Sequence, residues 1–311
     1  MKKAANITNT SSISSSRFAE YFQANNNPCD NFFNEIYLNS EFQIMFEELN
    51  AEISHSEVQK AVKQLKNGAS AGPDMFLNEF FKNGSVIMFN YLHDLFNRTF
   101  DLGYFPKQWS EGYIIPIYKK GNANEPSNYR GITLLSALGK LFTRILNNRL
   151  NEWAETYAIY MEAQAGFIKN ISTVDNVITL NSLITHFLNQ NNHLYRAFVD
   201  FTKAFDLVVR DNLRFKQIIV GVGGKILNKI QSMYTEVKSH VKHNNIVSQS
   251  FFSNIRVRQR KCLSPFLFVI YLNDLENEID LKGADGIDIG NDQVIFITIC
   301  RWHCVVCSHS C

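Results

Sequence analysis

The chain lacks an apolar run long enough to span a bilayer. The longest, Phe266 to Leu272, is seven residues, whereas a spanning helix needs about 20. Its first residues, Met1-Lys2-Lys3-Ala4-Ala5-Asn6, hold no apolar segment of the secretory kind, so the sequons at Asn6 and Asn9 read as chance. Neither sign of charge is in excess: 31 basic against 29 acidic residues give a net +2, too small to mark a nucleic-acid binder by charge alone. Cysteine is nearly absent from the body of the chain, where Cys29 and Cys262 stand alone. The other four, Cys300, Cys304, Cys307 and Cys311, crowd the last twelve residues with Trp302, His303 and His309. An intracellular, reducing setting with free thiols follows. There is no internal repeat.

What is present reads as a globular α+β chain of 311 residues, 45% hydrophobic, enough for one large or two smaller domains. Residues 1 to about 30 are rich in Ser, Asn and Thr and read as a disordered lead. Ser54-His55-Ser56-Glu57 is a capping box, and Val58, Ala61, Val62 and Leu65 follow at helical spacing. That helix stops at Asn67-Gly68, before a turn at Ala71-Gly72-Pro73-Asp74. Helices are expected over 89–100, from Leu138 to about Tyr157, over 174–188, over 225–235, and over 263–278 behind Ser264-Pro265. Strands are expected over 112–120, broken by Pro116, over 194–201 as a buried strand, and as a pair between His240 and Phe252 joined near Asn244-Asn245. The mixture is not a regular βαβ alternation.

The most informative stretch is Ala197-Phe198-Val199-Asp200-Phe201-Thr202-Lys203-Ala204-Phe205-Asp206. Apolar residues lead into a single carboxylate, an oxygen ligand of the kind hard divalent cations take. Upstream lie Phe105-Pro106, Trp109, Ile115-Pro116-Ile117-Tyr118-Lys119-Lys120-Gly121 and Asn128-Tyr129-Arg130-Gly131-Ile132-Thr133-Leu134-Leu135. Gln164-Ala165-Gly166-Phe167 and Ser172-Thr173-Val174-Asp175-Asn176 follow, and downstream come Gln259-Arg260-Lys261-Cys262-Leu263-Ser264-Pro265-Phe266 and Tyr271-Leu272-Asn273-Asp274-Leu275.

In order and spacing these blocks, from about residue 53 to about 296, resemble the reverse transcriptases of non-LTR (LINE-type, jockey-like) retrotransposons. The resemblance implies a right-hand polymerase fold limited to fingers and a partial palm. Residues 1–52 would be lead and first helix, 53–195 fingers, 196–296 partial palm, and 297–311 an aberrant Cys-rich tail. It implies RNA-directed DNA synthesis with Mg²⁺ (or Mn²⁺), an RNA template, a DNA primer and deoxynucleoside triphosphates, and no membrane. Asp200 and the backbone carbonyl of Phe201 would hold metal, and Asp200 would be catalytic. Arg130, Lys119 and Phe205 would bind the nucleotide, Phe205 as the ring beneath the incoming sugar. Gln259, Arg260, Ser264, Pro265, Gly166 and Phe167 would line the template and primer. A non-catalytic RNA-binding remnant is the alternative.

The chain departs from that pattern in several places. Arg256 and Arg260 stand where the family usually has glycine, and Ala69, Ile168 and Arg210 replace other common residues. The Tyr-Ala-Asp-Asp turn due near residue 300 is missing, so the chain reads as an inactive fragment. Three readings of the tail stay open: a zinc cluster, a plain Cys-rich end, and a frameshift. Codons for Thr298 to Cys307 can be chosen so that reading one base later yields Leu-Tyr-Ala-Asp-Gly-Ile-Val-Leu-Ser, close to the absent motif and in its place.

Overall fold

Ser54 and Glu57 cap each other: Ser54 Oγ accepts from the Glu57 amide at 3.3 Å, and the Glu57 carboxylate accepts from the Ser54 amide at 2.8 Å. The computed structural model describes residues 13–26, 46–161, 164, 166–168, 171–200, 208–235, 237–252, 262–275, 278, 281, 287–289, 292–294, 296–299 and 302–307. Its elements begin with α1 (Ser15–Asn26), α2 (Glu47–Asn50), α3 (His55–Lys63), α4 (Asn78–Lys82), α5 (Val86–Asp101) and α6 (Lys107–Ser110). The hairpin β1 (Gly112–Tyr118) and β2 (Tyr129–Leu135) leads into α7 (Ala137–Thr156), α8 (Thr173–Asn189) and β3 (Tyr195–Asp200). Next come α9 (Arg210–Ile219), α10 (Gly224–Thr235), β4 (Lys238–His243), β5 (Ile246–Val247), β6 (Phe251–Phe252) and α11 (Ser264–Tyr271). Four strands close the order: β7 (Ile287–Ile289), β8 (Asp292–Val294), β9 (Phe296–Ile299) and β10 (Trp302–Cys307). Among the described residues no helix is long and apolar enough to cross a membrane.

The main core is helical. Leu141, Phe142, Ile145, Leu146 and Leu150 line one face of α7 and pack with Phe96 and Phe100 of α5, Ile226 and Ile230 of α10, and Leu267 and Ile270 of α11. Their 3.6-residue spacing is what buries one stripe of each helix. A second core lies under the five-stranded sheet, ordered β2-β1-β4-β5 with β6 on β4. There Phe18 of α1, fully buried, meets the Tyr129 ring edge-on at 4.8 Å and His243 at 5.1 Å. Gly131 lets Phe22 of α1 lie close on the sheet, since a Cβ there would come 2.9 Å from Ile114 Cγ2 and 3.0 Å from the Phe22 ring. The segment expected as a disordered lead therefore contains a packed helix; Ser and Asn around Ile13, Phe18 and Phe22 mask its apolar face.

Three other expectations are corrected. Pro116 does not break β1: the strand runs through it in register with Gly131 of β2, while β4 pairs with Gly112–Ile114. The helix expected to reach residue 278 ends at Tyr271, since Asn273 turns back to bind Met161 N (3.0 Å) and Ile159 O (2.8 Å). The strand expected as buried forms as β3, yet Phe198 is 59% and Val199 42% exposed, on successive and therefore opposite faces. The hairpin between β4 and β5 is as expected, with Asn244 and Asn245 at positive φ (50° and 61°).

Arg149 of α7 ties the helical core to the chain entering α3. Its guanidinium donates to both Glu57 oxygens (Nη2 to Oε2 at 2.9 Å), to Ala51 O and to Glu52 O, and lies 5.6 Å from the Phe100 ring centroid. Burial pushes the Glu57 carboxyl up, but the Arg149 and Ser54 hydrogen bonds outweigh it and hold the group below its ordinary value. Its contribution to stability is thus present above the ordinary carboxylate range and lost as acid protonates it. Arg149→Met should cost about 3 kcal/mol in urea unfolding, because it strands a carboxylate and two carbonyls. Glu57→Gln combined with Arg149→Met should lose less than the sum of the single variants. A single-variant loss below about 1 kcal/mol would contradict the tie.

Lys229 of α10 is fully buried and donates to Thr99 O and Tyr104 O at the end of α5. Burial lowers its ammonium to about 8, against the pull of Asp101. A lowered lysine releases its proton in the folded chain before the unfolded one does, so folding gains stability as pH rises from about 8. The stability of the natural chain relative to Lys229→Met should therefore climb between pH 8 and 10. A difference that stays flat across that window would show that Lys229 is not held in this way.

Candidate active site

The hairpin of β1 and β2 carries the cations. Arg130 pairs with Ile117, and Lys119 donates its backbone N–H to Asn128 O at 2.9 Å, two positions nearer the tip. Both residues are exposed, and the register places them as diagonal neighbours at one end of the hairpin. The base of β2 is clamped. Asp74 Oδ2 accepts from Ser136 Oγ (2.8 Å) and from the Ala137 amide (2.7 Å), capping α7 where β2 enters it. Gly72 is required two residues earlier, since a Cβ there would lie 2.2 Å from Leu135 O. Lys140, one turn into α7, is held by burial below the ordinary lysine range, despite the opposing charges of Asp74 and Cys262. The sequence marks Ala71-Gly72-Pro73-Asp74 only as a turn; its clamp becomes visible through the β2–α7 junction.

Asp200 ends β3, in a second sheet ordered β3-β10-β9. In that sheet Trp302 of β10 is in antiparallel register with Asp200, and His303 with Val199. The chain therefore brings a tryptophan, not a carboxylate, to the position across from Asp200. Among the described residues no three His, Cys, Asp or Glu side chains gather as a metal site. Two-metal phosphoryl transfer requires carboxylates converging from neighbouring strands. Of the tail cysteines, Cys304 and Cys307 lie on the extended strand β10, and Cys300 and Cys311 lie outside the described residues.

Four of the remaining candidates lie within the described residues. Ser264 and Pro265 open α11, with Ser264 buried. Gly166 N donates to Oε1 of the buried Gln164 at 3.1 Å, and Phe167 follows at φ 67°, 46% exposed. Phe201, Phe205, Gln259 and Arg260 lie outside the described residues.

Residues set aside or missed in the sequence have structural duties. Arg210 donates to Tyr234 O, with its guanidinium 5.4 Å from the Tyr234 ring, joining α9 to α10. Asp274 pairs with Lys216 of α9. The Asn273-Asp274 pair, quoted in the sequence only as part of a family block, thus fastens α11 to its neighbours.

Residues 117–297 match the family described as reverse transcriptase (RNA-dependent DNA polymerase). The chain is 31% identical over 222 residues to the probable RNA-directed DNA polymerase from transposon BS of Drosophila melanogaster, covering 70% of this chain and 24% of that protein. It is 27% identical over 281 residues to the RNA-directed DNA polymerase from mobile element jockey of Drosophila melanogaster, covering 88% and 29%. The Pol polyprotein from the type-1 retrotransposable element R2 of Popillia japonica is 28% identical over 244 residues, covering 78% and 33%. The chain spans about a quarter to a third of the length of these relatives. With a family match over more than half its residues, the chain belongs to the reverse transcriptase (RNA-dependent DNA polymerase) family.

Proposed function

We propose that this chain is the fingers and partial palm of a non-LTR retrotransposon RNA-directed DNA polymerase, and that as it stands it does not synthesise DNA. The observation that carries the second half is the register of β10 on β3, which sets Trp302 across from Asp200. In this reading Arg130 and Lys119 neutralise the incoming triphosphate, since fixed cations stabilise charge that develops on phosphoryl oxygens. Asp200 and the Phe201 carbonyl are the surviving half of a divalent-cation site, and Phe205 underlies the nucleotide sugar. Gly166, Phe167, Gln259, Arg260, Ser264 and Pro265 border the template and primer. Arg260 adds bulk and charge where a close backbone approach is needed. The relatives are polymerases, so a purely RNA-binding remnant is not favoured. The tail from about residue 297 is read as a frameshift, supported by the place β10 takes beside Asp200.

The purified chain should incorporate no deoxynucleotide on a primed RNA template with Mg²⁺, because one carboxylate does not place two cations. Extension above that of Asp200→Ala would overturn this. The coding nucleotides should, read one base later from Thr298, continue as Leu-Tyr-Ala-Asp-Gly and then as further polymerase sequence. Codons that give no such continuation would remove the frameshift while leaving the Trp302 argument in place.

A further inference from the structure

Helix α8 is apolar on two sides. Its inner side, with Leu180 and Leu183, is buried in a small core with Ile287. On the outer side Val174, Ile178 and Leu188 are 58%, 58% and 67% exposed, and Asn181 and Thr185 lie exposed between them. These five recur at alternating intervals of four and three, the 3.5-residue spacing of a seam that packs against another helix. Of the 17 residues of α8 only Asp175 carries a full charge, and His186 is its one other ionisable group. A helix face meant for water ordinarily shows charged residues. A helix lying on a membrane surface carries Lys and Arg on its polar side. The outer side of α8 fits neither.

The order of residues along the seam points to what covers it. From Ile178 through Asn181 and Thr185 to Leu188 it runs apolar, polar, polar, apolar, with intervals that are symmetrical about position 183. A second copy running antiparallel therefore sets Ile178 against Leu188 and Asn181 against Thr185, reciprocally, as a two-fold interface requires. The Thr185 hydroxyl donates to the Asn181 carbonyl of its own helix at 3.0 Å or less, 2.9 Å, which leaves its oxygen to accept from the Asn181 amide of the other copy. Charge selects the antiparallel direction. Parallel pairing would put Asp175 beside its own copy, whereas antiparallel pairing holds the two about 24 Å apart. Each then lies toward the half of the other helix that holds His186 and no acid. We propose that α8 is a self-association surface through which two copies of this chain pair as an antiparallel, two-fold dimer. Two helices of this length bury less than a standard interface, so the dimer is weak, with a dissociation constant on the order of 10 μM. The proposal does not depend on the polymerase reading.

Sedimentation equilibrium of the full chain from about 1 to about 100 μM, without nucleic acid, nucleotides or metal, tests the surface. The natural chain should pass from monomer to dimer across that range. Ile178→Glu and Leu188→Lys should each weaken the dimer at least about tenfold, since each buries an unpaired charge. An equimolar mixture of these two variants should recover association to within about threefold of the natural chain, because the antiparallel register sets the new acid against the new base. Parallel pairing would give no such recovery. Ile87→Glu, at an exposed apolar position on α5, should leave association unchanged, with thermal melting confirming that every variant is folded. A natural chain that stays monomeric, single variants that dimerise as it does, a mixture no better than its components, or an equal loss in Ile87→Glu would overturn the proposal.

Discussion

The Asp74 carboxylate is the joint on which the arrangement depends. It caps α7 at Ala137 and holds Ser136, the residue through which β2 passes from the sheet into the helical core. Gly72 lets the turn approach the Leu135 carbonyl closely enough for this contact. Because α7 is the spine of the main core and β2 carries Arg130, the direction of the cationic hairpin is inherited from that turn. Arg149, near the other end of α7, fixes the helix to the capping box of α3. A strand-end cation is therefore aimed by contacts made far from it in sequence.

Local chemistry made much of this legible in advance. The capping box at Ser54, the paired asparagines at 244 and 245 and the 3.6-residue stripe from Leu138 to Leu146 each act within a few residues, so their pattern is their explanation. The failures share another cause. The helix α1 is decided by the sheet beneath Phe18 and Phe22, the end of α11 by the 159–161 loop that Asn273 binds, and the continuity through Pro116 by its register with Gly131 of β2. None of those partners is near in sequence. The exposure of Phe198 and Val199 is of the same kind: an apolar strand is buried only where other elements cover it.

The candidate site divides in a similar way. Its family blocks were readable as motifs, but only the first strand of the hairpin that presents Lys119 and Arg130 was expected; β2 was not. The pairing of Trp302 with Asp200 could not be read from spacing, because it depends on β10 folding back across more than a hundred residues. In the proposed reading it turns a missing motif into a physical deficit: the strand beside Asp200 is present, and the residue in register is Trp302.

Manganese binding tests that deficit most directly, through the electron paramagnetic resonance of free Mn²⁺ titrated with the chain in the presence of a deoxynucleoside triphosphate. The account predicts at most one weakly held ion that depends on Asp200 and is lost in Asp200→Asn. Two tightly held ions per chain would show that carboxylates converge beside Asp200 after all, and would contradict the account at its centre.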